Sequence, residues 1–218
     1  MSTFFQSLGF LVIALFSLVL SPSAKAASVL ITNVTLDGST NAIVSSSGAL
    51  LNGSYVGVGY FSGLSDSQIQ LMDESTFNSI TTGSGFQALE SSTSWWAFGA
   101  GLVDGNAQGA INSGSDFIGE AIYSIIGNGA TLATSTELLI FKFSAVFAQD
   151  EPIFSANAKM DVSSGNGTVL WGGTGNYADN YFGEGVNPAF NTVGLVPEPS
   201  RFFLVGLGLV GLMMRRRR

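Results

Sequence analysis

Glycine-containing turn pairs alternate with short apolar stretches through the middle of the chain, and this alternation limits the fold more than any other feature. Residues 27–196 contain 24 glycines in 170 positions, about twice the average usage. An Asn-Gly or Asp-Gly pair favours positive φ and a tight hairpin, and short apolar runs between turns are typical of strands. We therefore predict a mainly β domain, a β-sandwich or jelly-roll-like arrangement. The turn pairs are Asp37-Gly38, Asn52-Gly53, Asp104-Gly105, Asn128-Gly129 and Asn166-Gly167; the strand candidates are residues 28–36, 54–61, 137–147 and 168–172, and the third, the most apolar, is predicted to be central.

One segment has helical character. Residues 65–68 read Ser-Asp-Ser-Gln, the spacing of a capping box, and Ile69, Met72 and Ile80 follow at near-helical intervals. These signals predict one short helix over residues 66–78.

The composition removes several kinds of chemistry. The 218 residues include no cysteine and no histidine, so a disulfide, a thiolate or imidazole metal site and a Ser-His-Asp triad are excluded. The formal charge is −7, yet residues 27–196 hold only Lys142 and Lys159 against fourteen acidic residues, a net charge of −12. A field of this sign repels nucleic acid and anionic lipid headgroups, so we expect neither to bind the middle domain.

Residues 1–26 have the organisation of a secretory signal peptide. An apolar run over residues 8–20 is ended by Ser-Pro-Ser, and Ala-Lys-Ala at residues 24–26 supplies small residues at −3 and −1 of a cleavage site. No basic residue precedes the run. The alternative is a membrane anchor or a buried helix, but the length of the run and the A-x-A site favour cleavage and export.

The C-terminal end combines a stiff proline-containing segment, an apolar run and a basic cluster. Pro197 and Pro199 fix φ and favour extended predecessors, so Glu198 projects from a rigid extended peptide. Residues 202–214 are apolar; as a helix they would span about 20 Å, short of the roughly 30 Å hydrocarbon core of a bilayer. The arginines that follow favour the cytoplasmic side. The segment is therefore predicted to be a marginal membrane anchor.

The order of these three elements resembles the PEP-CTERM sorting signal that exosortases recognise. The resemblance implies that the Pro-Glu-Pro element is the recognition motif, that the helix holds the precursor in the inner membrane and that the arginines stop transfer. It further implies cleavage near the motif and release toward the cell surface or extracellular matrix. The residues that match are Pro197, Glu198 and Pro199 for the motif, Phe202, Leu204, Leu207, Leu209 and Leu212 for the anchor, and Arg215, Arg216, Arg217 and Arg218 for the basic end.

Two other interpretations of the tail are weaker. An ordinary single-span anchor needs neither the prolines nor so short a run. Gly206, Gly208 and Gly211 spell G-x-G-x-x-G, but a dinucleotide site needs a preceding strand, a following helix and a later acidic residue. These glycines suit helix packing in lipid instead. The predicted organisation is thus a signal peptide over residues 1–26, a β-rich domain over 27–193, a linker over 194–200 and an anchor with its basic tail over 201–218.

Acidic residues of the middle domain give two weak candidates. Asp73-Glu74 and Asp150-Glu151 are adjacent in sequence, whereas a glycosidase needs two carboxyl groups facing each other across a cleft. We interpret these pairs as solvated charges. Calcium could be held by oxygens of Asp161, Asp179 and Glu184, but the chain has no D-x-D-x-D-G loop, and we predict no metal and no cofactor.

Aromatic side chains supply the alternative function, a secreted carbohydrate-binding module that would take extracellular polysaccharide. Flat rings can stack on sugars, although aromatic residues are at least as often part of a core. A glycan hydrolase is a weaker alternative still. Our main expectation is a non-enzymatic, exported surface or matrix protein. The candidate rings are Trp95, Trp96, Trp171, Tyr177 and Tyr181; the glycosylation sequons at Asn33, Asn52 and Asn166 are interpreted as chance.

Overall fold

The computed structural model describes residues 27–33, 41–96, 99–109, 111, 115–148, 155–159, 166–178 and 186–195. The predicted signal peptide and C-terminal anchor lie outside them. The described part of the chain is mainly β, as predicted. Its strands are β1 (Ala27–Thr32), β2 (Ala42–Val44), β3 (Val56–Phe61), β4 (Phe86–Ser92), β5 (Asp104–Gly109), β6 (Ala121–Gly127), β7 (Glu137–Val146), β8 (Ser155–Lys159), β9 (Gly167–Trp171), β10 (Gly173–Ala178), β11 (Val186–Asn191) and β12 (Val193–Gly194). The helices are α1 (Asp66–Gln70) and α2 (Glu74–Thr81), and a 3-10 turn spans Leu132–Thr134.

The largest sheet is built around β7. Its strands are ordered β12-β7-β6-β3-β4, and β9 also pairs with β7. Leu139 and Phe141 of β7 face one core, while Leu138 and Ile140 face another. Both faces of the sheet are therefore buried at β7, which explains why this stretch is continuously apolar rather than alternating. The prediction that it is a central strand is confirmed.

Two smaller sheets pack against the first face of the large sheet. One has the order β5-β1-β8 and the other the order β10-β11-β2. Val29, Ile31 and Phe190 from these sheets share a core with Val58 and Phe141 of the large sheet. The pairs β1–β8 and β2–β11 are parallel, so segments distant in sequence meet here. The described residues thus form three sheets, two of which share a core with the large one.

The helical segment covers the second face of the large sheet. Ile69 of α1 and Ile80 of α2 are buried in that core. The segment begins where the sequence predicted, because the Ser65 hydroxyl caps α1 and the Gln68 side chain accepts from the Ser65 amide at 3.0 Å. It differs from the predicted helix over residues 66–78 in being interrupted after α1 and in reaching Thr81. The interruption arises because the Asp73 carboxylate caps a second helix.

The turn-pair predictions were right in part, since the Asn128-Gly129 pair lies in the connection between the antiparallel strands β6 and β7. Gly53 has a positive φ of 63°, but Asp104 and Gly105 lie within β5. A Cβ on Gly105 would overlap the ring of Trp95, so this glycine allows an aromatic side chain to lie on the strand. Neither Gly129 nor Gly167 has positive φ, and the Asp37-Gly38 pair lies outside the described residues.

Candidate functional site

The folded domain holds the chain up to the edge of the predicted sorting signal. Val193 of β12 pairs with Leu138 of β7, and Gly194 continues that pairing. The indole N–H of Trp171 donates to the Val193 carbonyl at 3.0 Å. Gly194, the first residue of the predicted linker, therefore belongs to the sheet. The next residue, Leu195, packs against the core on the helical side.

The Glu137 carboxylate fixes the segment that leads into β12. It accepts hydrogen bonds from the amide and the hydroxyl of Ser46 and, at 2.7 Å, from the hydroxyl of Thr192. The Thr192 amide donates to the Val44 carbonyl at 2.9 Å. Burial favours a higher pKa for Glu137, but the hydrogen bonds from Ser46 and Thr192 outweigh it and lower the pKa. The carboxylate is thus held ionised as a structural clamp.

A groove opens beside Leu195, and we call it the tail-exit groove. The Leu71 side chain is 81% exposed there, while the neighbouring Met72 is buried. Asp73 caps α2 by accepting the Thr76 amide at 2.7 Å, and this bond lowers the pKa of the carboxyl. The groove therefore combines apolar side chains with two acidic residues, Asp73 and Glu74. The groove is lined by Leu71, Asp73, Glu74, Asn78, Thr136 and Leu195, among others.

The predicted acidic sites have structural roles or lie outside the described residues. Asp73 is a helix cap and Glu74 is exposed in the first turn of α2, which fits their interpretation as solvated charges. The Asp150-Glu151 pair and the calcium candidates Asp161, Asp179 and Glu184 are outside. Within the described part of the chain, no three His, Cys, Asp or Glu residues are grouped as metal ligands would be.

The candidate aromatic platform is divided among three cores. Trp95 and Trp96 belong to the core shared by the three sheets, and the Trp96 indole donates to the Ser54 carbonyl at 2.8 Å. Trp171 lies in the core on the helical side, and Tyr177 packs against a third, smaller cluster. Tyr181 is outside the described residues. The four described rings therefore do not share one surface.

Of the three sequon asparagines, Asn33 has a clear structural role. Its side chain is fully buried, and it donates to the carbonyls of Asn41 and Gly101 at 2.7 and 2.8 Å. Its carbonyl oxygen accepts the Val103 amide at 2.7 Å. In the folded domain this side chain is inaccessible to a glycosylating enzyme. Asn52 and Asn166 are exposed.

A polar network that the sequence analysis missed joins α1 to the large sheet. Asp66 accepts from the Lys142 ammonium at 2.6 Å and from the Tyr123 hydroxyl at 2.7 Å. Burial alone would raise the pKa of Asp66, but the hydrogen bonds from Lys142 and Tyr123 lower it. The pKa of the Tyr123 hydroxyl is raised, mainly by burial and also by its hydrogen bond to Asp66. The signal in the sequence was a lysine at a helix-facing position of an otherwise apolar strand.

The described residues form a β-rich domain, and the sequence beyond them carries the three elements of the predicted sorting signal. Residues 195–218 match the family model of the PEP-CTERM protein-sorting motif. The chain therefore carries a PEP-CTERM sorting motif at its C-terminal end, and this motif implies an exported precursor that is processed by an exosortase. No curated protein and no solved structure matches the chain. Among the described residues no helix is long and apolar enough to cross a membrane; the anchor residues Phe202 to Leu212 lie outside them.

Proposed function

We propose that the chain is a non-enzymatic cell-surface or extracellular-matrix protein delivered by cleavage of its sorting signal. The observation that carries the proposal is the motif match over residues 195–218, which starts at Leu195, a residue that packs against the core of the domain. In this scheme Pro197, Glu198 and Pro199 bind the sorting enzyme as an extended strand. Residues 202–214 hold the precursor in the inner membrane, and the four terminal arginines stop its transfer.

The arrangement of the acidic residues supports a structural role for the domain. Asp66 binds Lys142 and Tyr123, Asp73 caps α2, and Glu137 clamps the segment before β12. These carboxylates are occupied by internal hydrogen bonds. The domain is the cargo in this proposal, and surface or matrix attachment is its role after release.

Processing can be tested on the full precursor in a host that carries an exosortase. Mass spectrometry of the surface and secreted protein should yield peptides of residues 27–195 and none from residues 202–218. Glu198→Ala should leave the tail attached and the protein in the membrane, whereas Glu120→Ala, an exposed acidic residue remote from the tail in sequence, should be processed normally. An intact tail in the mature pool that is equally abundant with and without Glu198→Ala would refute the sorting role.

The non-enzymatic role has its own test. The processed protein, purified from the medium, should release no reducing ends from a panel of bacterial polysaccharides. It should also show no saturable binding on a glycan array. Turnover of any glycan would assign the domain to hydrolysis, and saturable binding of a glycan without turnover would favour the carbohydrate-binding alternative.

A further inference from the structure

The tail-exit groove lies so close to the sorting motif that an enzyme bound to the motif must also cover the groove. Pro197 follows Leu195 by two residues, and an extended chain spans at most about 3.6 Å per residue, so the two residues lie within about 7 Å of each other. Leu195 itself is fixed by its packing. Even a 100-residue domain has a radius of gyration of about 13 Å. The surface around Leu195 therefore becomes part of the contact between precursor and enzyme.

The groove has the chemical character of a protein-binding surface. Leu71 projects from the connection between α1 and α2 with 81% of its surface exposed, and Leu195 lies in the same groove. A single exposed leucine is ordinary on a protein surface. Here two leucines line one groove at the place that the enzyme must cover. Protein interfaces commonly combine exposed apolar side chains with polar and charged neighbours.

The negative charge of the groove distinguishes between two occupants, the membrane and the enzyme. Asp73 and Glu74 line the groove, and residues 27–196 carry a net charge of −12. Anionic headgroups are repelled by such a surface. A protein surface with an apolar side chain flanked by basic groups complements it. Resting on the sorting function proposed above, we propose that the tail-exit groove is a second binding site for the sorting enzyme, with Leu71 as its apolar anchor.

The experiment measures the rate of tail removal from the full precursor in membranes that contain the sorting enzyme. Leu71→Ser should slow processing by about tenfold, the loss expected when a leucine anchor is no longer buried. Glu74→Lys should slow it as well, by placing a positive charge opposite the expected basic groups. The matched control is Val146→Ser, because Val146 is also an exposed apolar residue, at 52%, on a different element; it should be processed at the wild-type rate. Unchanged thermal unfolding of each variant shows that the fold is intact.

The outcomes separate this proposal from the sorting function. If Glu198→Ala blocks processing but Leu71→Ser proceeds at the wild-type rate, sorting stands and the second site is overturned. Faster processing of Leu71→Ser would also overturn the second site, because the groove would then bind the precursor's own tail and not the sorting enzyme. Binding of the processed protein to phosphatidylglycerol vesicles that depends on Leu71 would assign the groove to the membrane instead. If Glu198→Ala has no effect, the sorting function itself fails.

A spacer gives an independent measurement. Ten Gly and Ser residues inserted between Leu195 and Val196 would remove any obstruction by the domain and loosen the coupling between groove and motif. If the groove is a second binding site, the spacer should slow processing. Leu71→Ser should then change the rate of tail removal less in the precursor with the spacer than in the precursor without it. A spacer that accelerates processing would show that the domain only hinders the enzyme, contrary to the proposal.

Discussion

Asn33 provides the sharpest prediction for the stability of the domain. Its side chain is buried and joins three segments, donating to the Asn41 and Gly101 carbonyls and accepting from the Val103 amide. Val103 also accepts from the Asn33 amide at 3.2 Å. The end of β1, the start of β2 and the approach to β5 are therefore held by one amide group.

The cost of losing this amide can be worked out from its bonds. Asn33→Ala removes three hydrogen bonds and leaves the Val103 N–H buried without the acceptor it has now. The Gly101 carbonyl keeps its bond from the Ile43 amide at 3.0 Å, so losing the bond from the Asn33 side chain costs least at this carbonyl. Two lost bonds at about 1 kcal/mol each and one unsatisfied buried donor at about 1–3 kcal/mol give a destabilisation of about 3–5 kcal/mol. For a domain of this size that lowers Tm by about 10 °C.

Urea unfolding of the processed protein, followed by tryptophan fluorescence, measures the effect. The midpoint should fall while the slope m stays unchanged, because the surface exposed on unfolding is the same. Asn52→Ala is the matched control, a sequon asparagine with an exposed side chain, and its change should stay within about 0.5 kcal/mol. A loss below about 1 kcal/mol for Asn33→Ala would show that water or rearranged backbone replaces the amide and would refute the reasoning.

Two further predictions concern the large sheet and β5. Asp66→Asn should lower the free energy of unfolding by only about 0.5–1 kcal/mol at pH 7, because both side chains of the Asp66–Lys142 pair are about one-third exposed. Since the folded-state pKa of Asp66 lies below its ordinary 3.8, the stability advantage of the wild type is present above that value and is lost as the pH falls through the folded pKa. The urea midpoints of the wild type and Asp66→Asn, measured near neutral pH and at acid pH, test this. An equal difference between the two proteins at both pH values would contradict the prediction. Gly105→Ala should lower the free energy of unfolding by about 1–3 kcal/mol and shift tryptophan emission, because the new methyl group overlaps the ring of Trp95. The control is Gly173→Ala, because a methyl group there would meet its nearest atom at 3.6 Å. Equal losses of stability in the two variants would exclude the overlap as the cause.

Two features, the start of α1 and the central strand β7, were predicted accurately from local sequence. The capping box placed the start of α1, and the apolar stretch of β7 predicted a central strand, which the structure shows to be buried on both faces. A capping bond joins residues three apart, and burial on both faces requires consecutive apolar residues. Both signals are therefore contained in a short window. The same holds for the sorting signal, whose three elements lie within the final 24 residues.

Predictions that depend on distant partners failed or were not made. The parallel pairs β1–β8 and β2–β11 join segments more than a hundred residues apart, which no turn signal can indicate. Gly105 was assigned to a turn because a glycine that admits the ring of Trp95 cannot be distinguished, in sequence, from one that allows positive φ. The network around Asp66 was missed because Lys142 lies 76 residues away. Each of these features is a tertiary contact that overrides a local preference.

The boundary between domain and tail explains how the precursor can lose its signal without losing its fold. The contacts described for the last strand are all made before the motif: Thr192 with Glu137 and Val44, and Val193 with Leu138 and Trp171. Cleavage at Pro197 to Pro199 or beyond removes none of these bonds. The released protein should therefore unfold at the same temperature as the precursor's domain, and differential scanning calorimetry of both forms checks this. A lower Tm after processing would mean that residues beyond Leu195 contribute to the fold, and the separation of cargo and signal at this residue would then be wrong.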